Sequence, residues 1–159
     1  MSRTYAADTA VSTDKSIAEI RATLRRYGAA GFMHAERETD AVIMFEMAGR
    51  RVMFRLTMPG RSERRFTHTE AKNQARAPAA AEAAWEQACR ARWRSLALVV
   101  KAKLEAVAAG IVEFEDEFMA QIVMPDGKTF SEHARPAIAI AYQQKEMPPL
   151  LPHFGARGS

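Results

Sequence analysis

The chain has 159 residues, 48% hydrophobic and 26% charged, a globular composition that fits one ordinary domain and excludes a disordered chain. No apolar run approaches the roughly 20 residues of a membrane span. The polar opening MSRTYAADTAVSTDKS has no secretory h-region, and a single cysteine excludes a disulfide framework or a multi-cysteine zinc site. A soluble, cytoplasmic protein without membrane association is expected. The net charge of +4 is uneven: Arg50 to Lys103 holds thirteen Lys and Arg against four Asp and Glu, a local +9, while 1–49 sum to −1 and 104–159 to −4. Such a middle block either faces a polyanion or decorates solvated faces with arginine.

Residues 1–12 are polar and without period, and read as a flexible arm. The capping-box spacing Ser16 to Glu19 signals a first helix, with Ile17, Ile20, Leu24 and Tyr27 on one stripe. Gly28 is a natural stop. Three strands follow at Phe32–Arg37, Ala41–Met47 and Arg51–Met58, joined at Thr39-Asp40 and Ala48-Gly49. In the last strand Val52, Phe54, Leu56 and Met58 point one way and Arg51, Met53, Arg55 and Thr57 the other. This predicts an antiparallel meander with one apolar face, ended by Pro59-Gly60.

Residues 61–78 read as a polar, basic loop, with one short strand available to Phe66, His68 and Thr69. A long helix then covers Trp85 to Ala109, opened by the alanines from Ala79 and by Pro78 at a tolerated first position. Trp85, Cys89, Trp93, Leu96, Val100, Leu104 and Val107 step by three or four residues and form a core-facing stripe against the meander. Phe114, Phe118 and Ile122 mark a shorter helix behind the acidic run Glu113 to Glu117. Pro125-Asp126-Gly127 is a turn. Thr129 and Glu132 cap a helical turn that continues from Pro136 to Gln144. The expected fold is α+β: an N-terminal helix, a three-stranded antiparallel meander on one long helix, short C-terminal helices and an extended tail. One domain spans 13–147, and 148–159 form the tail.

Motifs for catalysis are missing: no phosphate loop, no GxGxxG and no GxSxG elbow. His34-Ala35-Glu36 matches half of a zinc-deaminase signature without its cysteine half. His34, Glu36, His68 and His133 are metal-ligating types, but scattered histidines are more often surface residues. Glu113, Glu115, Asp116, Glu117 and Asp126 offer hard oxygen ligands for Mg²⁺ in a nuclease, set against a plain charged helix start. Cys89 has arginines beside it but sits on the apolar stripe, the mark of an inert buried thiol. No cofactor is expected, and the chain reads as non-enzymatic.

Binding has more support. Arg51, Arg55, Arg61, Arg64 and Arg65 lie on the outer sheet face and its exit. Arg90, Arg94 and Lys101 align on the long helix at spacings of four and seven. Arginine forks suit phosphates, and one groove lined by both sets would track a nucleic-acid backbone with a steep salt dependence. Nucleic acid, DNA first, is therefore the expected partner. A host protein is the alternative, contacted through the acidic C-terminal part and the apolar Met147 to Pro152 stretch. Self-association fits either.

Arg92-Trp93-Arg94 with Leu96, Lys101 to Glu105, Phe114 to Phe118, Pro125-Asp126-Gly127 and the Met147 to Pro152 end resemble small uncharacterised proteins carried by phages and prophages, over roughly Ser16 to Pro152. That resemblance implies no particular activity. The order helix, three-strand meander, long helix is similar to the β-β-β-α core of phage single-strand annealing proteins. This implies single-stranded DNA handling in recombination or replication, although topology alone does not fix function. Those proteins are usually longer and form rings or filaments; this chain could hold only the core.

Overall fold

In the computed structural model, residues 4 and 6–152 are described. Helix α1 (Thr13–Arg26) leads into strands β1 (Ala30–Glu36), β2 (Asp40–Met47) and β3 (Arg50–Thr57), a short helix α2 (Arg64–Thr67) and the long helix α3 (Pro78–Ala108). Helix α4 (Phe114–Phe118), a 3₁₀ turn (Met119–Gln121) and helix α5 (Phe130–Gln144) complete it. The expected α+β class and element order hold.

The sheet is an antiparallel meander in the order β1-β2-β3. Its inner face carries Ala41, Ile43, Phe45, Val52 and Phe54, all in one buried cluster with Trp93, Leu96, Val100 and Leu104 of α3 and Ile17, Ile20 and Leu24 of α1. Two helices thus form the second layer. Strand alternation and the helical three-four step each yield one apolar surface, and each surface covers the other. Helix α1 begins one turn earlier than Ser16 predicts. Ser12 is the N-cap, its hydroxyl accepting from the Lys15 amide at 3.2 Å. Ser16 is buried instead, because it lies four residues before Ile20 on the core stripe.

The β2–β3 hairpin closes on the Met47–Arg50 pair, so Ala48 and Gly49 are its two loop residues. Both have positive φ, 51° and 70°, as a type I′ turn requires. An alanine there is strained. Ala48→Asn is expected to stabilise the fold by about 0.5–1 kcal/mol, read as a higher urea midpoint with unchanged slope. Gly31, at φ 62°, sits where the β1–β2 register slips between Ala30 and Met33.

The outer sheet face is not purely polar. Met33, Met44 and Met53 pair across it as one row, and Met53 is buried. The reason is the C-terminal third. Ile122 bridges Val52, and the Val123 amide donates to the Arg51 carbonyl at 2.8 Å. Residues 122–123 therefore line the β3 edge, and Ile122 belongs to this bridge rather than to the helix of Phe114 and Phe118. The start of α5 then lies near Met53 and Arg55. Helix α5 is continuous through Pro136 and carries a full capping box between Thr129 and Glu132.

That box sets an acid dependence. The Thr129 amide donates to Glu132 at 2.7 Å and holds its carboxyl below the ordinary 4.5. Asp126, whose carboxylate lies 2.8 Å from His133 Nε2, is likewise lowered from 3.8, first by His133 and then by the Lys128 amide. A lowered carboxyl stabilises the fold fully above its unfolded value, and that contribution is lost as pH falls through the folded one. Stability should therefore fall below about pH 4.5, and Glu132→Gln should flatten part of that slope in urea titrations across pH. Thr129→Ala should lose about 1 kcal/mol at neutral pH.

Residues 6–12 depart from a free arm. Ala6 is buried, and Gln87 Nε2 donates to the carbonyls of Ala7 and Thr9 at 3.0 and 2.9 Å. Residues 1–3 and 5 of that expected arm, and 153–159 of the expected tail, lie outside the described residues. The 61–78 stretch is also structured. Phe66 is buried on α2, and His68 bridges Ala75. A short helix forms where a strand was expected, because Phe66 docks alone while its neighbours Arg64 and Arg65 stay exposed.

Candidate nucleic-acid interface

Helix α3 decides where the basic residues go. Its 31 residues extend about 46 Å, whereas an eight-residue strand such as β3 extends about 27 Å. The N-terminal turns of α3 overhang the sheet. They are tied to its exit by three contacts. Trp85 Nε1 donates to the Pro59 carbonyl at 2.7 Å, Arg92 Nε to the Thr57 carbonyl at 3.0 Å, and Arg61 pairs with Glu82.

Around this overhang stand Arg61, Arg64, Arg65 and Arg90 of the expected contacts. Arg61 lies over the Trp85 ring, 3.8 Å from its centroid, and Arg65 over Phe66 at 4.5 Å. Arg65 also pairs with Glu63 at 2.7 Å. Glu63 takes the Gly60 amide as well, and that hydrogen bond is the first cause of its lowered carboxyl pKa. Arg64 donates to Asn73 at 2.8 Å and Arg90 to Gln87 at 2.5 Å.

The remaining four stand apart. Arg51 and Arg55 are on the outer sheet face, paired with Glu46 at 3.3 Å and Asp40 at 3.9 Å. Helix α3 packs on the inner face, so the sheet separates these two from Arg90, Arg94 and Lys101. Arg94 is half-buried against Glu19 of α1. Lys101 is exposed, seven residues or about 10 Å further along the helix. A single groove joining strand and helix arginines does not form, because alternate strand residues face opposite sides and only one side meets α3.

Arg92 joins the group, although its spacing from Arg90 and Arg94 puts it on another helix face. It lines a groove with Arg65 and Ala88. Trp85 departs from the expected core stripe: it is partly exposed, whereas Trp93 is fully buried. The signal for both was the helix length, since a stripe longer than the strands must outrun the sheet.

The candidate metal ligands are dispersed. Glu117 binds Lys103, Glu115 binds Arg50, and Asp126 meets His133. Among the described residues no group of three or more His, Cys, Asp or Glu is placed to hold a metal ion, and no helix is long and apolar enough to cross a membrane. Comparison with known proteins finds no matching family model, no similar curated protein and no similar solved structure.

Proposed function

We propose that the protein binds nucleic acid without catalysing a reaction, and that the contact surface is the overhanging end of α3 with α2 and the β3 exit. One observation carries this reading: Arg61 and Arg90 line a cavity beside the partly exposed Trp85, and Arg65 and Arg92 line a groove on another face of the same helical turns. Between 59 and 94 the chain has eight basic side chains against four acidic ones. The ion pairs to Glu63 and Glu82 are exposed, so they hold the arginines weakly and can exchange for phosphates. Single-stranded DNA is the preferred polymer in this proposal, because aromatic rings next to arginines suit unstacked bases.

Fluorescence anisotropy with labelled single- and double-stranded DNA and RNA, at rising salt, tests it. Binding should weaken steeply with salt, and Arg61→Glu with Arg65→Glu should reduce affinity at least tenfold at low salt. Absence of binding to all polymers at low salt would refute the proposal.

A second reading has its own support. Ile138, Tyr142 and Met147 are exposed, at 50%, 86% and 89%, and Leu150 and Leu151 follow. We propose this apolar row as a contact for a host protein or a second copy of the chain. A stoichiometric partner that survives nuclease treatment and is lost in Tyr142→Asp would favour it.

A further inference from the structure

Beneath the overhang, a cavity of about 410 Å³ opens between the start of α1, the β1–β2 turn and Met58 to Arg61. That volume lies within the range of about 300–1,000 Å³ usual for small-molecule sites. Its inner wall is apolar and aromatic, formed by Met58, Trp85, Cys89 and Trp93. The Trp85 ring is fixed from two directions, by its hydrogen bond to Pro59 and by the Arg61 guanidinium over its face. At the rim stand Glu36, Glu86 and Arg90.

These rim groups are unspent. Among the described residues neither carboxylate is in an ion pair, and Arg90 meets only the Gln87 amide oxygen. Burial raises the Cys89 thiol above its ordinary value, and Glu36 and Glu86 push it the same way against Arg61. Both carboxylates therefore act on the same inner wall.

The chemistry of this lining is selective. A flat ring bounded by a guanidinium suits stacking of another flat ring. Unpaired carboxylates accept from exocyclic amines and ring N–H groups, as they do from cytosine N4. Arg90 can donate to a ring nitrogen or carbonyl. The same carboxylates repel a phosphate, so a base enters while its phosphates stay outside with Arg61, which lines the same cavity. Thymine has no exocyclic amine, and its one ring N–H lies between two carbonyl oxygens that the carboxylates repel.

We propose that this cavity receives one amino-bearing nucleobase (cytosine, adenine or guanine) from a strand held by the surrounding arginines. The proposal rests on the nucleic-acid reading above. Its test compares oligodeoxycytidine, oligothymidine and an abasic strand of equal length, by anisotropy and by tryptophan fluorescence. Oligodeoxycytidine should bind about tenfold more tightly than the abasic strand and quench the emission. Trp85→Phe should remove most of the quenching, since Trp93 meets the cavity with only 1% of its surface exposed. Glu36→Gln with Glu86→Gln, both at exposed positions, should bring the cytidine-to-thymidine affinity ratio towards one. Equal binding of the cytidine and abasic strands, without quenching, would overturn the pocket while leaving backbone binding intact. If no strand binds, the nucleic-acid reading fails by itself, and free cytidine monophosphate then decides the pocket. Saturable quenching that Trp85→Phe largely removes supports base recognition; no quenching overturns it.

Discussion

Trp93→Ala is expected to cost the fold about 3–5 kcal/mol, the loss seen when a large buried aromatic leaves a cavity. Trp93 is 1% exposed and lies in the cluster that joins α1, α3 and the inner sheet face. Ile20, Leu24, Ile43 and Val100 of the same cluster are fully buried as well. A domain of this size has a total stability of about 5–15 kcal/mol, so the variant should lose about a fifth of it or more. Urea denaturation followed by circular dichroism checks this. With a slope of about 1–3 kcal/mol per molar, the midpoint should drop by about 1 M or more. Trp93→Phe, which keeps an aromatic volume, should lose less. A midpoint unchanged by the alanine would mean that Trp93 is not the keystone of the two-layer core.

Phe118→Ala should lose a similar amount, about 3–5 kcal/mol, but from the other end. Phe118 is fully buried. Its ring meets Phe45 and Phe54 edge-on, with centroids 6.1 and 6.3 Å away, and stacks on Phe114 at 4.9 Å. Each such pair contributes about 0.5–1.5 kcal/mol beyond burial. Lys103 holds the same element, donating to the Glu117 carbonyl at 2.8 Å while its ammonium lies over the Phe118 ring. Hydrogen exchange separates this variant from Trp93→Ala. The amide of Val123, bonded to Arg51, should lose protection before the amides of α1 do. Uniform loss across all elements would show that α4 does not act as a local anchor.

The fold was largely legible because its strongest signals are periodic. The α3 stripe and the alternation of Val52, Phe54 and Leu56 both need a buried partner, and each is the other's. What periodicity missed were docking events without period. Phe66 is one aromatic seated alone on a short helix, and Gln87 pins residues 7 and 9 through its side chain. Ser16 shows a different failure. Its spacing to Glu19 mimics a cap, but burial on the core stripe overrides the local pattern.

The candidate interface was half legible. Charge counting found the basic block, and Arg61, Arg64, Arg65 and Arg90 do share one end of the molecule. That Arg51 and Arg55 fall on the far side of the sheet follows from the strand alternation and the apolar stripe of α3 taken together, which a count of charges does not combine. Nor could it show that Arg94 is taken by Glu19, a residue 75 positions away in sequence. Glu36 and Glu86 were invisible as rim groups because only the fold brings the end of β1 to the start of α3.

The bridge between Ile122 and Val52 has a bearing on how this protein fails. A sheet edge with free amides and carbonyls is a template for another chain. Here residues 122–123 occupy part of the β3 edge, so the C-terminal third guards the sheet against unwanted strand pairing. When that third detaches, the guard is lost while the meander can persist. Aggregation during storage should then track partial opening of the C-terminal third rather than global unfolding, and variants that loosen α4 should precipitate at denaturant concentrations where α1 and α3 are still helical.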